Sequence, residues 1–286
     1  MPPAEAPSLL LLIPAYNEEL RLPPVLTEYL EYLHAHWRGR FQVVVVLNGC
    51  QDNTLGVVHQ AETRYPALCH LEFSAAIGKG GALIEGLKLA PTADLIGYVD
   101  ADGATPPGAF LELAQQVAAG AADCVIASRW VPGARVDVAQ TTDRRRASRI
   151  FHLAVEALFW MGIQDTQCGA KVMRREAVER IQPFLRLADL AFDVNLLYSL
   201  KRAGCSVLEM PTVWTDKSGS KVAFNSRTSL NMLLSLFRLR ILYSPFNRLL
   251  KPMTPLIMWI YRKLNAPPPR TEAEARETHP PELHHG

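Results

Sequence analysis

Leu95-Ile96-Gly97-Tyr98-Val99-Asp100-Ala101-Asp102-Gly103 is an apolar run that ends abruptly in two carboxylates and a glycine. Its length and composition fit a strand buried on both faces, as in a parallel sheet covered by helices. Two aspartates two residues apart would point to opposite faces of an extended chain, but a turn at Ala101 and Gly103 brings both toward one cation. Carboxylate oxygens suit a hard divalent ion, Mg²⁺ or Mn²⁺, whose shell is commonly completed by diphosphate oxygens. Two turn aspartates, one capping the next helix, have the same spacing. The motif therefore takes its meaning from its surroundings.

Working outward, residues 8–13, 41–47, 68–74 and 124–127 are further short apolar runs. Helical spacing of apolar residues separates them at 17–36, 53–64, 80–89 and 107–119. Asn17 is a candidate N-cap, with Glu18 and Glu19 in the first turn. Strands alternating with helices imply right-handed βαβ units and an α/β fold with a mostly parallel, Rossmann-like sheet. In such a sheet ligands bind at the carboxyl ends of the strands. Those ends carry Tyr16, Asn17 and Glu18; Asn48 to Asp52; Asp100, Ala101 and Asp102; and Arg129. Beyond Pro132 the pattern loosens. A polar stretch at 133–149 holds Arg144, Arg145 and Arg146, helices are expected at 149–160 and 191–203, and short strands at 206–210 and 213–215.

The composition sets limits. A chain of 286 residues, 49% hydrophobic and 20% charged, holds a core that needs no disulfide or structural metal. A net charge of +2 makes no case for nucleic acid as a partner. Cys50, Cys69, Cys124, Cys168 and Cys205 are odd in number and scattered, as expected of free thiols in a reducing compartment. No signal peptide and no apolar window of ~18–20 residues is present, so the expected location is the cytoplasm. The expected organisation is a flexible N-terminus at 1–7, a catalytic domain at 8–225, an amphipathic helical segment at 226–263 and a disordered tail at 264–286.

Two further motifs flank the aspartates. Ile77-Gly78-Lys79-Gly80-Gly81 places glycines and a lysine ahead of a helix, where backbone N–H groups approach phosphate. It lacks the Walker pattern. Ile13-Pro14-Ala15-Tyr16-Asn17-Glu18 leaves the first strand at an angle set by Pro14, over which a nucleoside could lie. In this order, and with Asn48-Gly49-Cys50-Gln51-Asp52-Asn53-Thr54, these pieces resemble the family 2 glycosyltransferases of the GT-A fold. Downstream, Asp165-Thr166-Gln167-Cys168-Gly169-Ala170-Lys171, Phe192-Asp193-Val194-Asn195-Leu196-Leu197, and Trp214 with Gly219-Ser220-Lys221-Val222 resemble segments of the dolichyl- and polyprenyl-phosphate glucosyltransferases. The chain departs from its relatives at Leu47-Asn48, where many carry Asp-Asp with a uracil contact, and at Asn195, where the glucosyltransferases have glutamate.

The resemblance implies an inverting, metal-dependent transfer of a hexose, glucose by inheritance, from a nucleotide diphosphate sugar (UDP) to a polyprenyl phosphate at the membrane surface. On this reading Pro14, Ala15, Tyr16, Asn17, Glu18, Asn48, Asp52, Lys79, Gly80, Asp100, Ala101 and Asp102 form the donor side, with Asp100 and Asp102 on the metal. Arg129, Arg144, Arg145, Gln167 and Lys221 form the acceptor side, since arginine holds phosphate through bidentate contacts. Asp193 and Asp165 join Arg129 as catalytic candidates, because a hydroxyl acceptor would need a carboxylate base. A hydroxyl of another lipid or polysaccharide, and an inactive nucleotide-sugar-binding protein, are the alternatives. Basic and aromatic residues at 228–263 suit peripheral contact with the cytoplasmic face of a membrane, or packing on a second subunit in a homodimer.

Overall fold

Four consecutive valines, Val43 to Val46, form the middle of the second strand, and all are fully buried. β-branched side chains with no polar partner have one favourable place, the interior of a sheet covered on both faces. The structure is a computed structural model and describes residues 6–136, 142–187, 189, 191–215 and 226–244. Its strands are β1 (Leu9–Ala15), β2 (Phe41–Asn48), β3 (Leu68–Phe73), β4 (Leu95–Tyr98), β5 (Cys124–Ser128), β6 (Arg135–Val136), β7 (Lys171–Arg174), β8 (Val207–Pro211) and β9 (Val213–Trp214). Its α-helices are α1 (Leu22–His36), α2 (Thr54–Arg64), α3 (Lys79–Leu87), α4 (Pro107–Ala118), α5 (Thr142–Phe159), α6 (Arg175–Ile181), α7 (Phe192–Arg202) and α8 (Ser226–Leu242).

Seven strands form one sheet in the order β3-β2-β1-β4-β7-β5-β8, and β6 pairs with β9 in a small parallel ribbon. Alternation along β1 sends Leu9, Leu11 and Ile13 to the face covered by α1, α2 and α4, and Leu10 and Leu12 to the face covered by α3 and α5 to α8. The chain runs outward from β1 through β2 to β3, then returns to lay β4 on the other side of β1. The strand order therefore reverses between β1 and β4, which is where ligands bind in open α/β sheets.

The sheet is mostly parallel, as expected, with one strand that the sequence does not announce. Lys171-Val172-Met173-Arg174 is short and charged at both ends, yet β7 lies between β4 and β5, antiparallel to both. Two element boundaries also differ from expectation. The first helix begins at Leu22 rather than Asn17, because Asn17 takes a left-handed φ of 55° and Glu18 and Glu19 are drawn into a loop. Pro23 and Pro24, which lack N–H groups, suit the first turn that follows. The helix expected from 149 starts at Thr142, so Arg144 to Arg146 sit on its first turns and not in a loop. All five cysteines are free. Among the described residues no helix is long and apolar enough to cross a membrane. Lys221, residues 245–263 and the tail expected at 264–286 lie outside the described residues.

Candidate active site

Two loops leave the carboxyl ends of β1 and β2 and are stitched together by side chains. The Asn17 carboxamide oxygen accepts the Gln51 N–H (2.7 Å), and Thr54 Oγ accepts the Glu18 N–H (2.8 Å). Glu19 accepts the Asn53 N–H (2.8 Å), while Asp52 accepts the N–H of Thr54 (3.0 Å) and of Glu19 (3.3 Å). Glu18 is buried and receives Arg21 in a fork at 2.5 and 2.6 Å. Asn48, also buried, accepts the Ile77 N–H (2.7 Å) and so holds the loop ahead of α3 against the end of β2. Gly49 makes that approach possible: its φ is 65°, and a Cβ there would lie 2.4 Å from the Ala76 nitrogen. The residues expected to touch nucleotide thus turn their polar atoms largely inward and shape the loops. Pro14 and Ala15 close β1, Ala15 fully buried, and Tyr16 stands half-exposed above them.

Lys79 opens α3, whose N-terminus is set by Gly78 at φ 79°, and Gly80 is buried beside it. The Lys79 ammonium lies 2.5 Å from Asp100 Oδ1. The other face of the Asp100 carboxylate rests on Gly169, where a Cβ would stand 2.2 Å from Oδ2. Asp102 accepts the Ala104 N–H (2.9 Å), and Ala101 is buried between the two. Burial, then the charge of Asp100, raises the Asp102 carboxyl above the usual range, against the Ala104 N–H, Lys79 and Arg21. Burial opposes charge on Lys79, but Asp100, Asp193 and Asp102 outweigh it and raise its affinity for the proton. One ammonium against two adjacent carboxylates leaves negative charge in excess. The donor set is oxygen-only and fits Mg²⁺ or Mn²⁺, with Asp100 and Asp102 as the residues that would hold it.

Arg129 and Asp165 meet each other. The guanidinium grips the carboxylate at 2.7 and 2.9 Å, the Arg129 N–H adds a third bond at 3.0 Å, and the Arg129 guanidinium carbon lies 5.3 Å from the centroid of the Trp214 ring. Burial alone would push Asp165 up; the Arg129 fork outweighs it and holds the carboxyl below the usual range. Glu209 of β8 accepts the N–H groups of Gln164 (2.7 Å) and Asp165 (2.9 Å), which fixes this segment. The Gln167 amide nitrogen is buried with no hydrogen-bond partner among the described residues.

Asp193 lies beneath the site. Its Oδ1 accepts Lys171 Nζ (2.6 Å) and the Tyr98 hydroxyl (2.5 Å), and Lys171 also donates to the Cys168 carbonyl (2.6 Å). Lys171 and Tyr98 are fully buried. Burial opposes ionisation of Asp193, but Lys171 and Lys79 dominate and its carboxyl sits below the usual range. Asn195 accepts from the N–H groups of Arg186 (2.9 Å) and Leu187 (3.2 Å). It donates to Phe184 O (3.2 Å), Ser199 Oγ (3.2 Å) and the Tyr243 hydroxyl (3.1 Å).

The structure therefore gathers Lys79, Asp100 and Asp102, joins Arg129 to Asp165, and sets Asp193 below them. It places Arg144 and Arg145 on the α5 backbone. Sequence reasoning assigned no role to Arg21, Tyr98, Gly169 or Glu209. Tyr98, Gly169 and Lys171 were inside quoted motifs, and Arg21 pairs with Glu18 only three residues before it, whereas Glu209 carries no local signal, since its partners Gln164 and Asp165 come from a distant loop.

Known proteins share the family and the fold. The family model for glycosyl transferase family 2 matches residues 11–182. The dolichyl-phosphate beta-glucosyltransferase of Dictyostelium discoideum is 30% identical over 249 residues, covering 82% of this chain and 74% of that protein. Its Drosophila melanogaster counterpart is 35% identical over 231 residues, with 76% and 71% covered. Among solved structures, glucosyl-3-phosphoglycerate synthase from Mycobacterium tuberculosis, in complex with Mn²⁺, UDP and its product, superposes with a TM-score of 0.62 at 15% identity, covering 82% and 80%. Mannosyl-3-phosphoglycerate synthase from Rubrobacter xylanophilus gives 0.57 at 17%, covering 86% and 75%. The mostly parallel sheet with one inserted antiparallel strand is that of the GT-A fold. The chain belongs to glycosyl transferase family 2.

Proposed function

We propose that the protein transfers glucose, with inversion, from UDP-glucose to a polyprenyl phosphate, with Mg²⁺ or Mn²⁺ held by Asp100 and Asp102. One observation carries the choice of acceptor. The carboxylates suited to act as a base are each locked to a cation, Asp165 to the partly buried Arg129 and Asp193 to the buried Lys171, and held below the usual carboxylate range. A hydroxyl acceptor needs a base to take its proton, whereas a phosphate oxygen is already anionic near neutral pH. That oxygen attacks the anomeric carbon, a new C–O bond forms on the opposite face, and UDP leaves with the electron pair of the broken bond. No proton has to move.

The chain's own residues handle charge and position. The α3 N-terminus and Lys79 face the diphosphate with positive potential. Arg129, oriented by Asp165 and Trp214, and the spare donor of Gln167 serve the acceptor phosphate. The divalent ion, when bound, neutralises charge developing on the leaving diphosphate. The names of the relatives support glucose and a lipid phosphate, and the Mn²⁺ and UDP in the glucosyl-3-phosphoglycerate synthase complex support the donor and cofactor.

The outward face of α5 supports action at a membrane. Ile150, Leu153 and Ala157 are exposed at helical spacing, and Trp160, just past the end of α5 with a left-handed φ of 51°, is 81% exposed. Arg149 flanks this stripe, and Phe237 of α8 is likewise exposed. An apolar stripe with cations beside it suits an anionic bilayer interface. His152, on the same helix, packs edge-on against Trp130 with ring centroids 5.2 Å apart, which ties α5 to the end of β5 where Arg129 sits.

The test is transfer from radiolabelled UDP-glucose, with Mn²⁺ or Mg²⁺, to undecaprenyl phosphate or to the matching polyprenol, for wild type and Asp102→Ala. Metal-dependent product on the phosphate alone, lost in the variant, is expected. Product on the polyprenol would overturn the acceptor reading.

A further inference from the structure

Outside the catalytic centre, two imidazoles and one carboxylate converge at the edge of the sheet. His59 and Glu62 are three residues apart and so share one face of α2. His70 lies on β3, and its alternation partner Leu68 belongs to the core beneath α1, α2 and α4, so His70 points the same way, toward α2. The ligating atoms of the three all lie within 4.8 Å of one another. Glu62 Oε1 is 2.7 Å from His70 Nδ1, and the two imidazole rings meet edge-on with centroids 5.0 Å apart. His70 and Glu62 are partly buried, whereas His59 is exposed and leaves an entry path from solvent.

We propose that His59, Glu62 and His70 form a second cation site, selective for a borderline transition-metal ion such as Zn²⁺. Two neutral imidazole nitrogens and a carboxylate oxygen are a zinc ligand set, with a fourth position open to water. The donor chemistry separates this site from Asp100 and Asp102. Those offer oxygen alone and suit Mg²⁺ or Mn²⁺, while imidazole draws ions later in the divalent series. Place separates them as well. His70 pairs in register with Val45, three residues short of Asn48 and the site end of β2, or roughly 10 Å along the strand. The ion ties α2 to the edge strand β3. In its absence the Glu62–His70 pair holds two of the three ligands together.

Co²⁺ serves as a visible substitute for Zn²⁺. The purified full chain, with excess Mg²⁺ to fill the oxygen site, is titrated with Co²⁺ and read by its d–d absorption. One equivalent with the intense spectrum of tetrahedral cobalt is expected, together with a rise in Tm on adding Zn²⁺. His59→Ala and His70→Ala should each weaken binding by more than the roughly 10–100-fold typical of losing a group behind the ligands. Asp102→Ala should keep the signal, as should a chain with His284 and His285 both changed to alanine. His59 is exposed, so its variant tests the site without endangering the fold. Undiminished cobalt binding in both His59→Ala and His70→Ala, or a weak octahedral spectrum in the wild type, would overturn the proposal. Sugar transfer plays no part in this readout.

Discussion

At the scale of single residues, Asp102 is held at a cost. Burial and its neighbour Asp100 favour its protonated form in the folded chain. A carboxyl raised in this way favours folding at pH below its ordinary value of about 3.9. That contribution is lost as pH rises through the folded value. Two outcomes are expected. Mn²⁺ binding weakens on acidification at a higher pH than an ordinary aspartate would dictate, measured by calorimetric titration from pH 7 downward. Asp102→Asn, which keeps the acceptor for the Ala104 N–H, raises Tm at pH 7 in metal-free protein while abolishing metal-dependent transfer. A lower Tm for that variant would contradict the electrostatic account. Gly169 is the second such residue. Its substitution by alanine displaces the flexible Asp100 carboxylate rather than backbone. Gly169→Ala should therefore fold normally by circular dichroism yet bind Mn²⁺ roughly 10–100-fold more weakly. Arg129→Lys should retain charge but lose the fork to Asp165, lowering both stability and kcat/KM.

At the scale of elements, β7 shows how a short charged segment becomes the middle of a sheet. Lys171 is tolerated there because Asp193 of α7 and the Cys168 carbonyl take its protons, and Tyr98 of β4 shares the same carboxylate. Breaking such a pair from one side leaves an unmatched buried charge. Asp193→Asn or Lys171→Met should each cost about 3–5 kcal/mol, measured by chemical denaturation. Replacing both at once with apolar residues should cost much less than the sum. Asp193 has a lowered pKa, so its stabilisation is present above the ordinary aspartate range and is lost only as pH falls through its lower folded value. Were Asp193 a general base, Asp193→Asn would abolish transfer in protein that remains folded.

At the scale of the whole molecule, strand order places the chemistry at one edge. The reversal between β1 and β4 brings the β1 and β2 loops, Lys79 and the paired aspartates together at the carboxyl ends of neighbouring strands. α5 carries its exposed stripe along the flank of the same molecule. If this face meets the bilayer, Leu153→Ser with Trp160→Ser should lower co-sedimentation with anionic vesicles by roughly tenfold or more, given ~1.5–3 kcal/mol for each large apolar side chain buried. Their Tm and their transfer to a short, soluble polyprenyl phosphate should be unchanged. Equal vesicle binding by wild type and variant would place the membrane contact elsewhere.

The sequence alone determined the βαβ order, because runs such as Val43 to Val46 have no stable place except a strand covered on both faces. It also determined the position of Asp100 and Asp102 at a strand end, and that Lys79 stands at the start of a helix, since apolar periodicity and glycine placement are local properties. Tertiary structure decided the partnerships. It set Lys171 in the sheet against Asp193, closed Arg129 on Asp165, aimed Asn48 at the Ile77 N–H, and brought Gly169 beneath Asp100. Each of these contacts joins residues roughly 20–70 positions apart, where no periodicity reaches. Whether a buried charge is tolerated depends on what the fold brings beside it.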